Sequence, residues 1–193
     1  MMFREMAVTA IAALGFAALA SSAGAAISVL NGTLAHSCFE AAEFGTDGSS
    51  EDVRLCSRAL EETALSARDR AATLINLGIV RGRNNDTEGA LDSYNKGLEI
   101  DPSLGEGYVD RGAVQILRKN YKEAVADITK GLELNANRPE IAYYDRAIAN
   151  EALGNIRDAY IDYKKAVEIR PDFALATEQL SRFKVVRRRT NGA

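Results

Sequence analysis

Small and apolar residues return at a fixed interval from about position 67 onward. Gly78 aligns with Gly112 and Ala147, at spacings of 34 and 35 residues. The same offsets align Ala90 with Ala124 and Ala159, and Gly97 with Gly131 and Ala166. Leu98, Leu132 and Val167 form another rung, and Ile100, Leu134 and Ile169 another. Between the rungs, polar residues alternate with apolar ones at helical spacing. Such a ladder, with a period near 34, is the pattern of paired helices stacked into a solenoid. The pattern predicts helices over 67–82, 87–99, 103–118, 121–133, 139–153, 156–169 and 173–187. Ser66 with Asp69, Ser103 with Glu106, Asn120 with Glu123, and Asn155 with Asp158 have the spacing of helix-capping pairs. Gly105 and Gly107 share one first turn, which is expected to fray.

The ladder has a packing logic. Gly78, Gly112 and Ala147 carry little or no side chain, so a second helix can approach closely. Ala90, Ala124 and Ala159 fill the matching place on that helix. Tyr94 and Tyr163 then supply large apolar area to the contact. One helix pair cannot bury its apolar face alone, so neighbours must stack.

These positions resemble the tetratricopeptide repeat family. The first unit carries Leu74, Leu77, Gly78, Ala90, Tyr94, Gly97 and Pro102. The second carries Tyr108, Gly112, Ala124, Ile128 and Gly131, with Ala136 where the family has proline and Pro139 three residues on. The third carries Tyr143, Ala147, Ala159, Tyr163, Ala166 and Pro171. The resemblance implies an all-α, right-handed helix-turn-helix solenoid of about three units. A degenerate N-terminal helical pair and a C-terminal capping helix complete the expected fold. Terminal repeats need a polar outer face, and Glu178, Gln179, Arg182 and Lys184 supply one.

The chain before the repeats has a different character. Residues 1–25 have the pattern of a secretory signal peptide: Arg4, an apolar run from Ala7 to Ala20, and Ala23-Gly24-Ala25 as a small-x-small cleavage site. Cleavage there makes Ala26 the first mature residue and the protein exported, periplasmic or secreted. The alternative is an uncleaved anchor, since Ala7 to Leu30 carries no charge and is long enough to span a bilayer. Residues 26–50 form an irregular segment with a short helix around Cys38–Ala42, and 51–66 a degenerate repeat helix. Cys38 and Cys56 are the only cysteines, and an even count behind an export signal predicts a disulfide; two buried thiols are the alternative. Asn31-Gly32-Thr33 matches a glycosylation acceptor, though an Asn-Gly turn explains it as well.

Composition removes several function classes. Hydrophobic residues make up 47% and charged residues 26%, with a net charge of −3, which does not call for a polyanionic partner such as nucleic acid. His36 is the only histidine, and no metal-ligand spacing surrounds it, so neither metal nor cofactor is expected. No phosphate-binding loop, nucleophile elbow or zinc-protease helix is present, and no enzyme activity is expected. Five basic residues lie between Arg182 and Arg189, and the 187–193 tail offers a weak contact with a membrane surface. Cations at a helix C-terminus explain the same run.

The resemblance implies a protein or peptide partner, bound on the concave face of a 67–186 solenoid. In the family, the first helix of each unit lines that face. The positions are Asn76 and Ile79; Val109, Asp110 and Ala113; and Tyr144, Asp145 and Ile148. Some family members hold a peptide's terminal carboxylate with Lys and Arg there. Asp110 and Asp145 would repel one, so the expected ligand carries basic residues beside an apolar side chain. The bland alternative pairs these aspartates with Arg111, Arg146 or another neighbour on a solvated face. If the face binds a basic segment, charge reversal at both is expected to weaken partner binding sharply while the melting temperature barely moves. A rival function is an envelope-associated protein with the solenoid as spacer, its contacts carried by the N-terminal segment or the basic tail.

Overall fold

The structure is a computed structural model that describes residues 6–10, 24–29, 33–62 and 64–187. Among these residues the helices are α1 (Thr33–Phe44), α2 (Ser50–Ala59), α3 (Ala67–Arg83), α4 (Thr87–Ile100), α5 (Gly105–Leu117), α6 (Tyr121–Glu133), α7 (Pro139–Ala152), α8 (Ile156–Ile169) and α9 (Ala174–Ser181). The pairs α3–α4, α5–α6 and α7–α8 are the three repeat units. Each first helix also touches the next first helix, which builds one continuous inner face from α3, α5 and α7. α1 and α2 pack before the first unit, and α9 packs on α8. Six of the seven predicted helices lie within two residues of their expected bounds.

The ladder residues do what their size requires. A Cβ on Gly78 would come within 2.5 Å of the Tyr94 ring, and one on Gly112 within 2.6 Å of Ile128. Ala90, Ala124, Ala147 and Ala159 are wholly buried. Gly105 and Gly107, expected to fray, have a packing role instead. A Cβ on Gly107 would sit 2.7 Å from Ile75, and one on Gly105 3.0 Å from the Gly131 carbonyl.

A further repeat appears in the turns. Asn85, Lys119 and Gly154 all have positive φ, at 60°, 62° and 79°. They keep the 34- and 35-residue spacing of the ladder. At each turn the next N–H reaches back five residues: Asp86 to the Arg81 carbonyl, Asn120 to Gln115, and Asn155 to Asn150. This closes a helix end with a left-handed residue, which Gly and Asn adopt most easily.

Two expectations need correction. The helix predicted over 173–187 ends at Ser181, and β2 (Phe183–Arg187) follows as a strand antiparallel to β1 (Met6–Ala10). Val185-Val186 suits an extended backbone, and the paired strand satisfies it. Among the proposed caps, Ser66 bonds the Asp69 N–H at 3.0 Å. Asn120 and Asn155 instead bond Gln115 and Asn150, Ser103 bonds Asp101, and Leu104 stands at the α5 N-cap. Asp86 caps α4 through the Gly89 N–H. The expected leader falls mostly outside the described residues, as does Asn31-Gly32 of the glycosylation sequence and the tail beyond Arg187.

Cys38 and Cys56 are joined by a disulfide, with their Cα atoms 4.8 Å apart. It ties α1 to α2, and both cysteines are wholly buried in the core they share with Ile75, Val80 and Tyr94.

Candidate functional site

Helix α3 brings Asn76 and Ile79 to the inner face. Asn76 is fully buried, which is costly for an amide without partners. Its partners come from 49 residues earlier in the chain. The Ile27 N–H donates to Asn76 Oδ1 at 2.8 Å, and Asn76 Nδ2 donates to the Ile27 carbonyl at 2.8 Å. One side chain thus grips both polar groups of one backbone residue. The grip reads backbone and is indifferent to the side chain that the residue carries.

The gripped segment runs from Gly24 to Val29. Ile27 and Val29 are buried against the first core while Ser28 between them is exposed, the alternation of a strand. Gly24 lies so close to Ile79 that a Cβ would come within 2.6 Å of Ile79 Cγ1. This segment, which spans the expected cleavage site and the start of the irregular stretch, therefore covers Asn76 and Ile79 on the inner face. Asn76 and Ile79 are buried because this segment lies over them.

Helices α5 and α7 contribute the acidic positions. Asp110 is 6% exposed and Asp145 2%. With Val109, Ala113, Gly24 and Ala25 they line a cavity of about 20 Å³. Asp110 accepts a hydrogen bond from the Ala25 N–H. Among the described residues, Asp110 Oδ2 and Asp145 Oδ1 are buried with no hydrogen-bond partner.

Burial dominates the ionisation of both. Burial, reinforced by the charge of Glu106, pushes the Asp110 carboxyl up to about 7, against the opposing pull of the Ala25 N–H, Arg138 and Arg83. Burial and the Asp110 charge push Asp145 up to about 8. A like charge sharing a site disfavours the second ionisation.

The bland alternative for these aspartates fails on geometry. Arg111 is held by Asp127 through two bonds of 2.7 Å, and Arg146 by Asp162 through two of 2.8 Å. Both guanidiniums are thereby committed to the seam between the two helices of their own unit. Two-bond arginine–carboxylate contacts are among the stronger polar contacts in proteins. The signal was present in the sequence: Arg and Asp recur 16 residues apart in both units.

Two further expectations change. Tyr144, expected to line the concave face, is fully buried. Its ring packs 5.1 Å from Phe173 and 5.7 Å from Tyr163, so the chain leading into α9 covers it. Ile148 is half-buried and joins the hydrophobic core rather than the cavity. Charge reversal at Asp110 and Asp145 would put lysines at buried positions, so the fold itself would suffer.

Among the described residues no group of three His, Cys, Asp or Glu side chains could hold a metal, and no helix is long and apolar enough to cross a membrane. His36 lies exposed on α1, 3.7 Å from Glu40.

Comparison with known proteins agrees with the repeat geometry. The family model described as tetratricopeptide repeat matches residues 71–104 and 141–173, which bracket the α5–α6 unit. Serine/threonine-protein phosphatase 5 of Rattus norvegicus is 33% identical over 87 residues, 45% of this chain and 17% of that protein. The chain thus matches only about a sixth of that relative's length. Among solved structures, the first repeat domain of Spaghetti (RPAP3), bound to the HSP90 peptide SRMEEVD, is 26% identical, with a TM-score of 0.54 over 57% of this chain and 89% of that one. The fold also resembles MamA from Desulfovibrio magneticus RS-1, with a TM-score of 0.63 at 20% identity over 77% of this chain and 82% of that one.

Proposed function

We propose that this chain, which carries tetratricopeptide repeats, is an exported, non-catalytic scaffold whose concave face binds an extended peptide segment. One observation carries the reading. The face already holds a stretch of backbone, Gly24–Val29, through the two-way grip of Asn76 on Ile27. A surface that satisfies buried backbone groups of an irregular segment can do the same for a partner's.

Charge sets the ligand's character. The HSP90 peptide SRMEEVD in the Spaghetti complex is acidic, with two Glu and a final Asp. Here the inner face places Asp110 and Asp145 together, which disfavours such a ligand and favours one with a cationic group beside apolar side chains. The apolar run, the small-x-small site and the Cys38–Cys56 disulfide support export to an oxidising compartment of a bacterial-type cell.

Cross-linked capture from the native envelope tests the reading. Wild type is compared with Asp110→Asn/Asp145→Asn and with a chain lacking 187–193. A defined partner lost with the double variant supports the concave face. A partner lost only with the truncation places the contact on the basic tail and refutes it.

A further inference from the structure

The predicted processing site and the orphaned carboxylates meet at one point. The Ala25 N–H is bonded to Asp110, and the next residue, Ala26, donates its N–H to the Gly24 carbonyl at 2.9 Å. Processing between Ala25 and Ala26 would remove both arrangements at once. Asp110 would lose its backbone donor, and the Ala26 nitrogen would lose its acceptor. The Asn76 clamp on Ile27, one residue further on, would stay.

We propose that in the processed chain the α-ammonium of Ala26 seats against Asp110 and Asp145, fixing the chain's own N-terminus in the concave face. The proposal rests on the export reading above. An ammonium carries three donors. The site offers three acceptor positions: Asp110 Oδ2, Asp145 Oδ1, and the Asp110 oxygen released by Ala25. The cavity of about 20 Å³ already has room for one water-sized group, and loss of Gly24 and Ala25 from its lining widens it.

The surrounding charges suit a cation. Glu106 on α5 adds a third carboxylate. Arg138 lines the cavity, and its guanidinium is bonded to Glu43 at 2.9 Å. Arg83, whose charge also acts on Asp110, is bonded through Nη1 to the Ala41 carbonyl, and Tyr94 nearby is a neutral phenol. An α-ammonium would also supply donors to Asp110 Oδ2 and Asp145 Oδ1, which have no hydrogen-bond partner among the described residues.

The N-terminus is then the first ligand of the concave face. It has the character expected of a partner: a cation followed by apolar residues, Ile27 and Val29, at alternate positions. A partner must displace it or bind beside it. The face is self-occupied until a competing segment with a primary ammonium arrives.

The test uses protein purified from its native envelope. Intact mass gives the starting residue. Reductive methylation over a range of pH then reports the reactivity of the Ala26 amine, with the denatured chain as reference. A free α-amine titrates near 7.7–8.0. Seating should raise that value by at least one unit, so labelling at pH 7.5 should be about tenfold slower than in the denatured chain. Asp110→Asn/Asp145→Asn should restore fast labelling. If that variant does not fold, the pH profile of wild type alone still decides. A chain beginning at Ala26 whose amine labels as fast as the denatured reference overturns the proposal and leaves export standing. A native chain beginning at Met1 overturns export and the proposal together, and any other starting residue overturns the proposal.

Discussion

Two pairs of aspartates recur in the second and third units and live in opposite chemistry. Asp127 and Asp162 lie in the seam between the two helices of a unit, each holding an arginine 16 residues earlier by two bonds. Asp110 and Asp145 lie buried on the inner face, each with one oxygen that has no hydrogen-bond partner among the described residues. Residue type and spacing are shared, and burial nearly so, with Asp127 half-buried and the other three buried. The difference is whether the chain supplies a cation on the same repeat period. Where it does, the aspartate is part of the scaffold. Where it does not, a buried carboxyl costs stability, and that cost is the observation behind the proposed binding role.

The largest effect comes from breaking a seam pair. Asp162→Ala leaves the Arg146 guanidinium, only 20% exposed, without its carboxylate. Removing one partner of a buried pair costs roughly 3–5 kcal/mol, and the residual exposure of Arg146 puts the expected loss at the low end of that range. Denaturant unfolding of wild type and variant measures it. A loss under about 1 kcal/mol would place the seam pair among exposed ion pairs.

The inner-face pair should respond in the opposite sense. Both carboxyls titrate far above their ordinary value of 3.8, near 7 and 8. Between about pH 4 and pH 8 the folded protein keeps protons that the unfolded chain has released. The full-length chain should therefore lose stability as pH rises through that window, by an amount on the order of a few kcal/mol. Asp110→Asn/Asp145→Asn should flatten the profile and be the more stable protein at pH 8. Thermal unfolding at several pH values checks both statements, and a wild-type profile that rises from pH 5 to 8 contradicts them.

A middle-sized effect tests the grip itself. Asn76→Ala removes the partners of the Ile27 N–H and carbonyl, which are buried beneath the segment. Unsatisfied buried groups cost about 1–3 kcal/mol, so a loss near 2 kcal/mol is expected. Proteolysis should then cut within 24–32 faster than in wild type, while the helices stay protected. Unchanged cleavage there would mean that the apolar contacts of Ile27 and Val29 hold the segment without Asn76.

How far the sequence spoke depended on the range of the interaction. The helix bounds were legible because the ladder from Gly78 to Ala166 records contacts within one repeat. The turns at Asn85, Lys119 and Gly154 keep the same period and were readable in principle, since Gly154 stands where Asn85 does. Ser103 was misread because a capping spacing does not say where the helix begins, and Leu104 is the residue at that junction. Tyr144 was misread because its burial depends on Phe173, beyond the third unit. The covering of Asn76 by Ile27 spans 49 residues and follows no period, so no local pattern announced it. The acidic positions themselves were found from the repeat register. Their lack of partners was not, because it depends on where Arg111 and Arg146 point.

The smallest expected effect completes the comparison with a third environment. Asp92 pairs with Lys96 one turn along α4, at 2.7 Å, with both side chains more than half exposed. The contact is as short as those in the seam. Water screens it, and two long side chains lose freedom to make it. An exposed pair of this spacing contributes roughly 0.3–0.5 kcal/mol, and less as salt rises. Asp92→Ala should therefore change the unfolding free energy by under about 0.5 kcal/mol in low salt. In 1 M salt, where the screening length falls to about 3 Å, the change should vanish. The seam variant Asp162→Ala should keep most of its effect in the same buffer, because its pair is shielded from ions. If both variants lost their effects together, distance alone would govern these contacts. The division between seam, inner face and surface would then have no energetic meaning.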